Sequence, residues 1–356
     1  MKILTVIGAR PQFVKAAVVS RAYQAHTKLN EVIVHTGQHF DRNMSDIFFE
    51  EMQIPKPHYN LNITGLGHGA MTGQMLEGIE KILIDEKPDF VVVFGDTNST
   101  IAGALAARKL NIKVAHVEAG LRSFNMKMPE EINRILTDRI SDILFCPTDT
   151  ALNNLNQEGY NHFDSKIIKN GDVMLDAALF YSSFSAKKST IIDDLKLDQY
   201  VLATIHRSEN TNDLNNLKAI IEGLNEINNS INVLVPLHPR TKAILTSNNL
   251  KVNFKLIAPV GYFDMLELIK NCRMVFTDSG GLQKEAFFFK KHCVTMRAQT
   301  EWIELVENGF NLLTGANHEK IINAFNILIE KQSDFEVGLY GNGDSSKIIA
   351  DTLATY

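Results

Sequence analysis

The 356-residue sequence is poor in the residues that mark several large protein classes. It has only three cysteines, Cys146, Cys272 and Cys293, and no two of them stand at C-x-x-C spacing. That argues against a zinc knuckle and a disulfide framework, and makes reduced thiols in a cytoplasmic protein the expectation. Basic charge is short too. Lys and Arg number 36 against 41 Asp and Glu, a formal net charge of -5, so nucleic acid is not an expected partner. No apolar run approaches the roughly 18 residues of a membrane span. The opening Met1–Gly8 stretch is too short for a signal-peptide core and meets Arg10 and Pro11 at once. The glycine fingerprints are missing as well. Gly8-Ala9-Arg10-Pro11 places arginine and proline where a G-x-G-x-x-G turn needs glycine, which argues against NAD at its usual site. There is no G-x-x-x-x-G-K-[ST] loop and no G-x-S-x-G elbow. Eleven histidines include no H-E-x-x-H pair. His35 and His39 bracket a strand end, and His68 and His116 stand alone, as packed or hydrogen-bonded histidines usually do. Neither a metal nor an organic cofactor is expected.

What is present is a rhythm. Apolar residues make up 45% of the chain, enough for large cores, and its length suits two domains. Ile3–Ile7, Glu31–His35, Phe90–Phe94, Lys113–Val117, Ile143–Phe145 and Ile167–Lys169 read as buried strands without polar alternation. Amphipathic stretches such as Met71–Asp85 and Thr100–Lys109 read as helices between them. The series restarts with Tyr200–Thr204, Val233–Leu237, Phe254–Ile257, Met274–Thr277 and Cys293–Met296, after the polar, weakly patterned Phe184–Gln199. The expectation is an α/β chain of two Rossmann-like domains, residues 1–170 and 171–344, with a cleft between them.

In parallel sheets, ligands bind beyond the carboxyl ends of the strands, so the residues that follow each strand carry the functional reading. Asp278-Ser279-Gly280-Gly281 stands between a strand and the predicted helix Leu282–Phe289. Two glycines admit close backbone approach, and a helix start offers free N–H groups and a positive dipole end, which suits a diphosphate. Ser279 adds a hydroxyl donor, and Glu285, one turn on, suits a ribose diol. Arg10, Lys15 and His206 are candidate balancing cations. The plainer reading is a tight turn with a dipole-matched glutamate and solvated basic residues. At the other end, Asp96 and Glu118 each terminate a strand, and Met128-Pro129-Glu130-Glu131-Ile132-Asn133-Arg134 reads as a helix start. Glu130 and Arg134 are four apart, either a surface ion pair or a carboxylate aimed by an arginine. Asp96 is either an N-cap or a site residue.

The motifs Gly8-Ala9-Arg10-Pro11-Gln12-Phe13-Val14-Lys15, Gly95-Asp96-Thr97-Asn98-Ser99-Thr100, His116-Val117-Glu118-Ala119-Gly120-Leu121-Arg122, Pro129–Arg134, His206-Arg207-Ser208-Glu209-Asn210, His238-Pro239-Arg240, Asp278–Gly281 and Thr300-Glu301 occur in one order along nearly the whole chain. Together they resemble the non-hydrolysing UDP-N-acetylglucosamine 2-epimerase family. The resemblance implies a GT-B-type pair of Rossmann-like domains, with a C-terminal helix, about residues 345–356, returning to the first domain. It implies that Arg10, Ser279, Gly280 and Gly281 hold the diphosphate with His206 nearby, and that Glu285 holds the ribose. Asp96, Glu118 and Glu130 become the acid–base candidates, supported by Lys15 and Arg134. The implied chemistry needs no cofactor. UDP leaves C1 as the C2 proton is removed, giving a glycal, and adds back after reprotonation on the opposite face. The implied partners are a UDP-sugar and, in a homodimer, a second copy; the implied role is supply of bacterial surface polysaccharide precursors.

Two segments depart from the commonest family pattern. Gln38-His39-Phe40-Asp41 stands where many members carry Gln-His-Arg-Glu, which puts allosteric control by substrate in doubt. Met296–Trp302 and Gln283–Phe289 resemble the branch acting on UDP-2,3-diacetamido-2,3-dideoxyglucuronate, although Ala298 stands where that branch tends to carry Asp. UDP-GlcNAc remains the rival substrate. A hydrolysing epimerase, a GT-B glycosyltransferase and a non-catalytic UDP-sugar sensor are the competing functions.

Overall fold

In the computed structural model, residues 1–38, 54–237 and 239–356 are described, apart from the Arg10 side chain. The chain divides into two compact units, Met1–Leu179 with Gly338–Tyr356, and Phe180–Val337.

The first unit holds a parallel sheet of β1 (Lys2–Ile7), β2 (Asn30–His35), β3 (Tyr59–Asn60), β4 (Phe90–Phe94), β5 (Lys113–Val117), β6 (Ile143–Cys146) and β7 (Lys166–Lys169), in the order β3-β2-β1-β4-β5-β6-β7. The second holds a parallel sheet of β8 (Tyr200–Thr204), β9 (Asn232–Pro236), β10 (Lys255–Ile257), β11 (Val275–Thr277), β12 (Cys293–Thr295) and β13 (Asn311–Leu313), in the order β10-β9-β8-β11-β12-β13. Both orders reverse once, between β1 and β4 and between β8 and β11. In open α/β sheets that reversal is where ligands bind.

Side-chain alternation explains why both sheets are covered on two faces. In the second unit, Val201, Ala203, Val233 and Val235 meet Leu217, Ile220 and Leu224 on one face. Tyr200, Leu202, Leu234 and Val275 meet Leu268, Ile269 and Leu282 on the other. The first unit packs Leu4, Val6, Val32, Val34, Val91 and Val93 against Met75, Ile79, Ala102 and Ala106. Such burial contributes about 1.5–3 kcal/mol per large apolar side chain.

The predicted strands exist within a residue or so at their ends, and two more, β3 and β13, lie at sheet edges. Residues 184–199 are not structureless. The helix Val173–Lys188 and the short helix Ile191–Leu195 cover most of them. Residues 173–179 of the longer helix belong to the first unit and 180–188 to the second, so the division lies beyond Gly171. The early part is tied by Asp176, whose carboxylate accepts from Ser345 N, Ser346 N and Ser346 Oγ at the start of the helix Ser345–Ala354. That final helix belongs to the first unit. The later part carries Tyr181 and Phe184, which pack on Phe263. Burial pushes the Cys272 and Cys293 thiols up to about 12 and raises Cys146 further still, so all three behave as small apolar residues. No helix among the described residues is long and apolar enough to cross a membrane.

Candidate active site

In the first unit, the residues after β1 and β4 are fastened together at the sheet reversal by Gln12. Its Oε1 accepts from Gly8 N at 2.8 Å and Ala9 N at 3.0 Å, while Nε2 donates to the Phe94 carbonyl at 2.8 Å. Gly8 has no room for a side chain: a Cβ there would lie 2.0 Å from Thr36 Oγ1. Thr97, not Asp96, caps the helix Asn98–Lys109, its hydroxyl accepting from Thr100 N. The N-cap alternative for Asp96 is therefore set aside, and its carboxylate is free to turn toward Arg134, with which it forms an ion pair.

Arg134 corrects the pairing expected from spacing. Its guanidinium binds Asp96 and, at 2.6 Å, Glu131, three residues back, rather than Glu130. The Glu131 carboxylate is 1% exposed and also accepts from Ser123 N, Ser123 Oγ and Phe124 N. Glu131 is thus saturated with donors and sets both the 123–124 loop and the Arg134 side chain. Glu130, in the first turn of the helix Pro129–Ile140, is half-buried and has no partner among the described residues.

Lys15, 7% exposed on the helix Arg10–Gln24, forms an ion pair with Glu118. Glu118 has φ +73°, a left-handed backbone that costs a non-glycine residue about 1–2 kcal/mol and collects at functional sites. Gly95 beside it has φ +64°, and a Cβ there would stand 3.2 Å from Glu118 Oε2. Lys15, Val117, Glu118, Pro147, Gly171, Asp172 and Val173 line a recess at this point. Asp96, Glu118, Lys15 and Arg134 are all ion-paired at the ends of neighbouring strands.

In the second unit, Ser279 caps the helix Gly280–Phe288, and Gly280 and Gly281 form its first two positions. A Cβ on Gly280 would lie 2.5 Å from Glu301 Oε1, whereas a Cβ on Gly281 would meet nothing within 4 Å. The turn thus presents bare backbone to open space at a helix N-terminus, an arrangement that receives anions. Asp278, fully buried, shapes the facing loop. It accepts from His206 N and Arg207 N, from Asn210 Nδ2 at 3.0 Å, and from His206 Nδ1 at 3.0 Å. Burial alone would raise the Asp278 carboxyl, but the hydrogen bonds and charge of His206 and the other donors hold it below its ordinary range. With Nδ1 so engaged, the half-exposed His206 is left with Nε2 to address a ligand. Glu285 is buried beside Tyr262, whose hydroxyl it helps push up after burial itself. Trp302, singled out by its branch-like segment, is buried with the Lys284 ammonium 3.8 Å from its ring centroid.

Arg10 begins the helix Arg10–Gln24, but its side chain lies outside the described residues, as do His39–Asp41 and His238. Gln38 is described, and its Oε1 accepts from Ser99 N and Ser99 Oγ. The sequence did not reveal the roles of Gln12, Glu131 and Asp278, which act on other site residues. Among the described residues, no three His, Cys, Asp or Glu side chains are grouped to hold a metal ion.

Two units built on parallel Rossmann-like sheets, one with a glycine turn at a helix start and the other with ion-paired carboxylates at strand ends, have the fold of nucleotide-sugar enzymes of GT-B type. The family model for UDP-N-acetylglucosamine 2-epimerase matches residues 21–354, and the chain belongs to this family. It is 55% identical over 355 residues, 99% of each chain, to the UDP-2,3-diacetamido-2,3-dideoxy-D-glucuronate 2-epimerase of Pseudomonas aeruginosa. It is 45% identical to the UDP-GlcNAc 2-epimerase of Methanocaldococcus jannaschii in its crystal structure with UDP-GlcNAc and UDP, with a TM-score of 0.92 and all of both chains covered. The Neisseria meningitidis enzyme bound to UDP-GlcNAc is 32% identical, with a TM-score of 0.89 and the same full coverage. The chain is a UDP-sugar 2-epimerase, an isomerase.

Proposed function

We propose that this epimerase inverts C2 of UDP-2,3-diacetamido-2,3-dideoxyglucuronate, by eliminating UDP and adding it back through a glycal. The supporting observation for the chemistry is the pair Asp96 and Glu118, ending β4 and β5 and each held by its own cation, Arg134 and Lys15. The C2 proton has no adjoining carbonyl and is barely acidic. Positive groups on the departing diphosphate must therefore develop cation character at C1 first. A carboxylate then takes the C2 proton, the C–H electrons form the C1–C2 alkene, and the C1–O bond breaks toward UDP. An acid on the other face reprotonates C2, and the UDP oxygen re-forms its bond to C1. Glu130, without a partner among the described residues, is the third candidate for these transfers. The Ser279–Gly281 turn, Arg10 and His206 receive the diphosphate, and Glu285 the ribose diol. Each bond broken is re-formed, so the cycle is redox-neutral and calls for no cofactor.

The identity to the Pseudomonas aeruginosa enzyme favours the diacetamido-glucuronate sugar. The kcat/KM for that substrate is expected to exceed that for UDP-GlcNAc by about 100-fold, since polar groups built to bind an acetamide and a carboxylate reject a sugar lacking them. The reverse ranking would assign UDP-GlcNAc. We also read the enzyme as a cytoplasmic homodimer. Phe124 and Met126 in the 123–128 loop are exposed together with Ile132 and Leu136, which are four apart and share one side of the Pro129–Ile140 helix. Light scattering is expected to give twice the chain mass, with Leu136→Glu shifting it toward the monomer. A monomeric native protein would contradict this reading.

A further inference from the structure

His116 lies on β5, wholly buried, with both ring nitrogens in short hydrogen bonds. Nε2 is 2.7 Å from the Gly95 carbonyl oxygen, and Nδ1 is 2.7 Å from Asp138 Oδ1. A carbonyl has no proton to give, so Nε2 must donate. Asp138, equally buried, receives Arg122 Nη1 at 2.7 Å and Gly120 N at 3.1 Å on its other oxygen, Oδ2. A carboxyl with that set of donors is ionised, so Nδ1 must donate as well. A neutral imidazole has only one N–H, so the partners require the imidazolium.

The charges close locally on that assignment. Arg122 and His116 are positive, while Asp138 and Glu158 are negative, with Glu158 bonded to Arg122 Nε at 2.6 Å. Burial alone would raise the Asp138 carboxyl, but His116 and Arg122 hold it below its ordinary range, in agreement with the geometry. The neighbouring Cys146 thiol and Tyr160 hydroxyl are both pushed up, chiefly by burial, and stay neutral.

The carbonyl that His116 grips belongs to the residue that precedes Asp96. Gly95 is in the left-handed region, its Cα faces Glu118 Oε2, and its amide donates to the Val117 carbonyl at 3.0 Å. The ion pair His116–Asp138 therefore presents the positive end of a buried dipole to the turn that carries one candidate acid and walls the other.

We propose that His116 is a positioning residue: a doubly donating imidazolium, fixed by Asp138, that anchors the Gly95 peptide, thereby aims Asp96, and favours the ionised form of the site carboxylates. The proposal rests on Asp96 and Glu118 being the acid–base groups. The other charges facing them are Arg134 and Glu131 beside Asp96, and Lys15 beside Glu118.

The first test uses native protein with 15N-labelled histidine. At pH 7.5, the long-range 1H–15N spectrum is expected to show both His116 nitrogens protonated, with slowly exchanging N–H protons. One unprotonated His116 nitrogen would overturn the proposal. The second test is His116→Gln, which keeps a donor for the Gly95 carbonyl but removes the charge. It is expected to lower kcat about tenfold or more, leave the Kd for UDP within about threefold, and move the acid limb of kcat upward by about one pH unit. An unmoved acid limb would overturn it. If that variant does not fold, Asp138→Asn, which removes the carboxylate that obliges Nδ1 to donate and so leaves the ring neutral, is measured in the same way. The spectrum is independent of the roles of Asp96 and Glu118, so a failure of the acid–base reading is seen separately, in the Glu118→Gln rate.

Discussion

Glu118→Gln is expected to lower kcat by about three orders of magnitude while leaving the affinity for UDP within about threefold of the native enzyme. General acid–base groups contribute typically 10²–10⁴-fold, and Glu118 is one of the two carboxylates held at the strand ends by a dedicated cation. Glutamine preserves the shape and still offers an oxygen to Lys15, so the protein should fold. The left-handed backbone of Glu118 belongs to the site whichever side chain is present, because the β5 end is pinned by Glu118 N donating to the Phe145 carbonyl at 3.1 Å. The change removes proton transfer and the negative charge beside Lys15, while the size of the side chain is kept. UDP affinity should hold because Glu118 is not among the groups proposed to receive the diphosphate, which are Arg10, His206 and the Ser279–Gly281 turn. Initial rates with either UDP-sugar, alongside UDP titration calorimetry, measure both quantities. A variant that retains the full rate removes Glu118 from the acid–base pair and leaves Asp96 and Glu130.

Gly281→Asp is expected to weaken UDP binding at least 100-fold without destabilising the protein. A Cβ at this position meets nothing within 4 Å, and the backbone angle is one any residue adopts. An acidic residue in the first turn of a helix is, if anything, favourable to the helix. The same carboxylate confronts an anionic diphosphate at close range. At an effective dielectric of about 20, two unit charges 4 Å apart repel by about 4 kcal/mol, and solvent leaves enough of that to cost two decades of affinity. The opposed directions of the two effects make the test clean. Unchanged UDP affinity would show that the Ser279–Gly281 turn is not the phosphate site.

How much of this was legible in the sequence depended on distance along the chain. Strands that are buried on both faces announce themselves as apolar runs, and the residues behind them, Asp96, Glu118, His206 and Ser279–Gly281, were found because chain order places them at strand ends. The helical path of residues 184–188 was missed because its apolar content is aromatic and buried against Phe263, a contact no local period reveals. Spacing joined Arg134 to Glu130, since four residues is one helical turn. The pairing was decided instead by the Ser123 and Phe124 amides, which gather the Glu131 carboxylate and bring it to Arg134. The roles of the Asp138 and Asp278 carboxylates could not be read from spacing. Their donors lie 16 to 22 and 68 to 72 residues away, so only the fold brings a saturated carboxylate into view. The resemblance to a family supplied what spacing lacks, the grouping of scattered motifs into one site.

In the proposed cycle, C2 loses and regains its proton while the sugar returns to UDP. Incubation with each UDP-sugar in deuterated water, followed by NMR and mass spectrometry, measures this directly. One deuterium at C2 is expected in both epimers, with UDP still attached. C2 inversion without deuterium uptake, or free sugar and UDP as the only products, would contradict it.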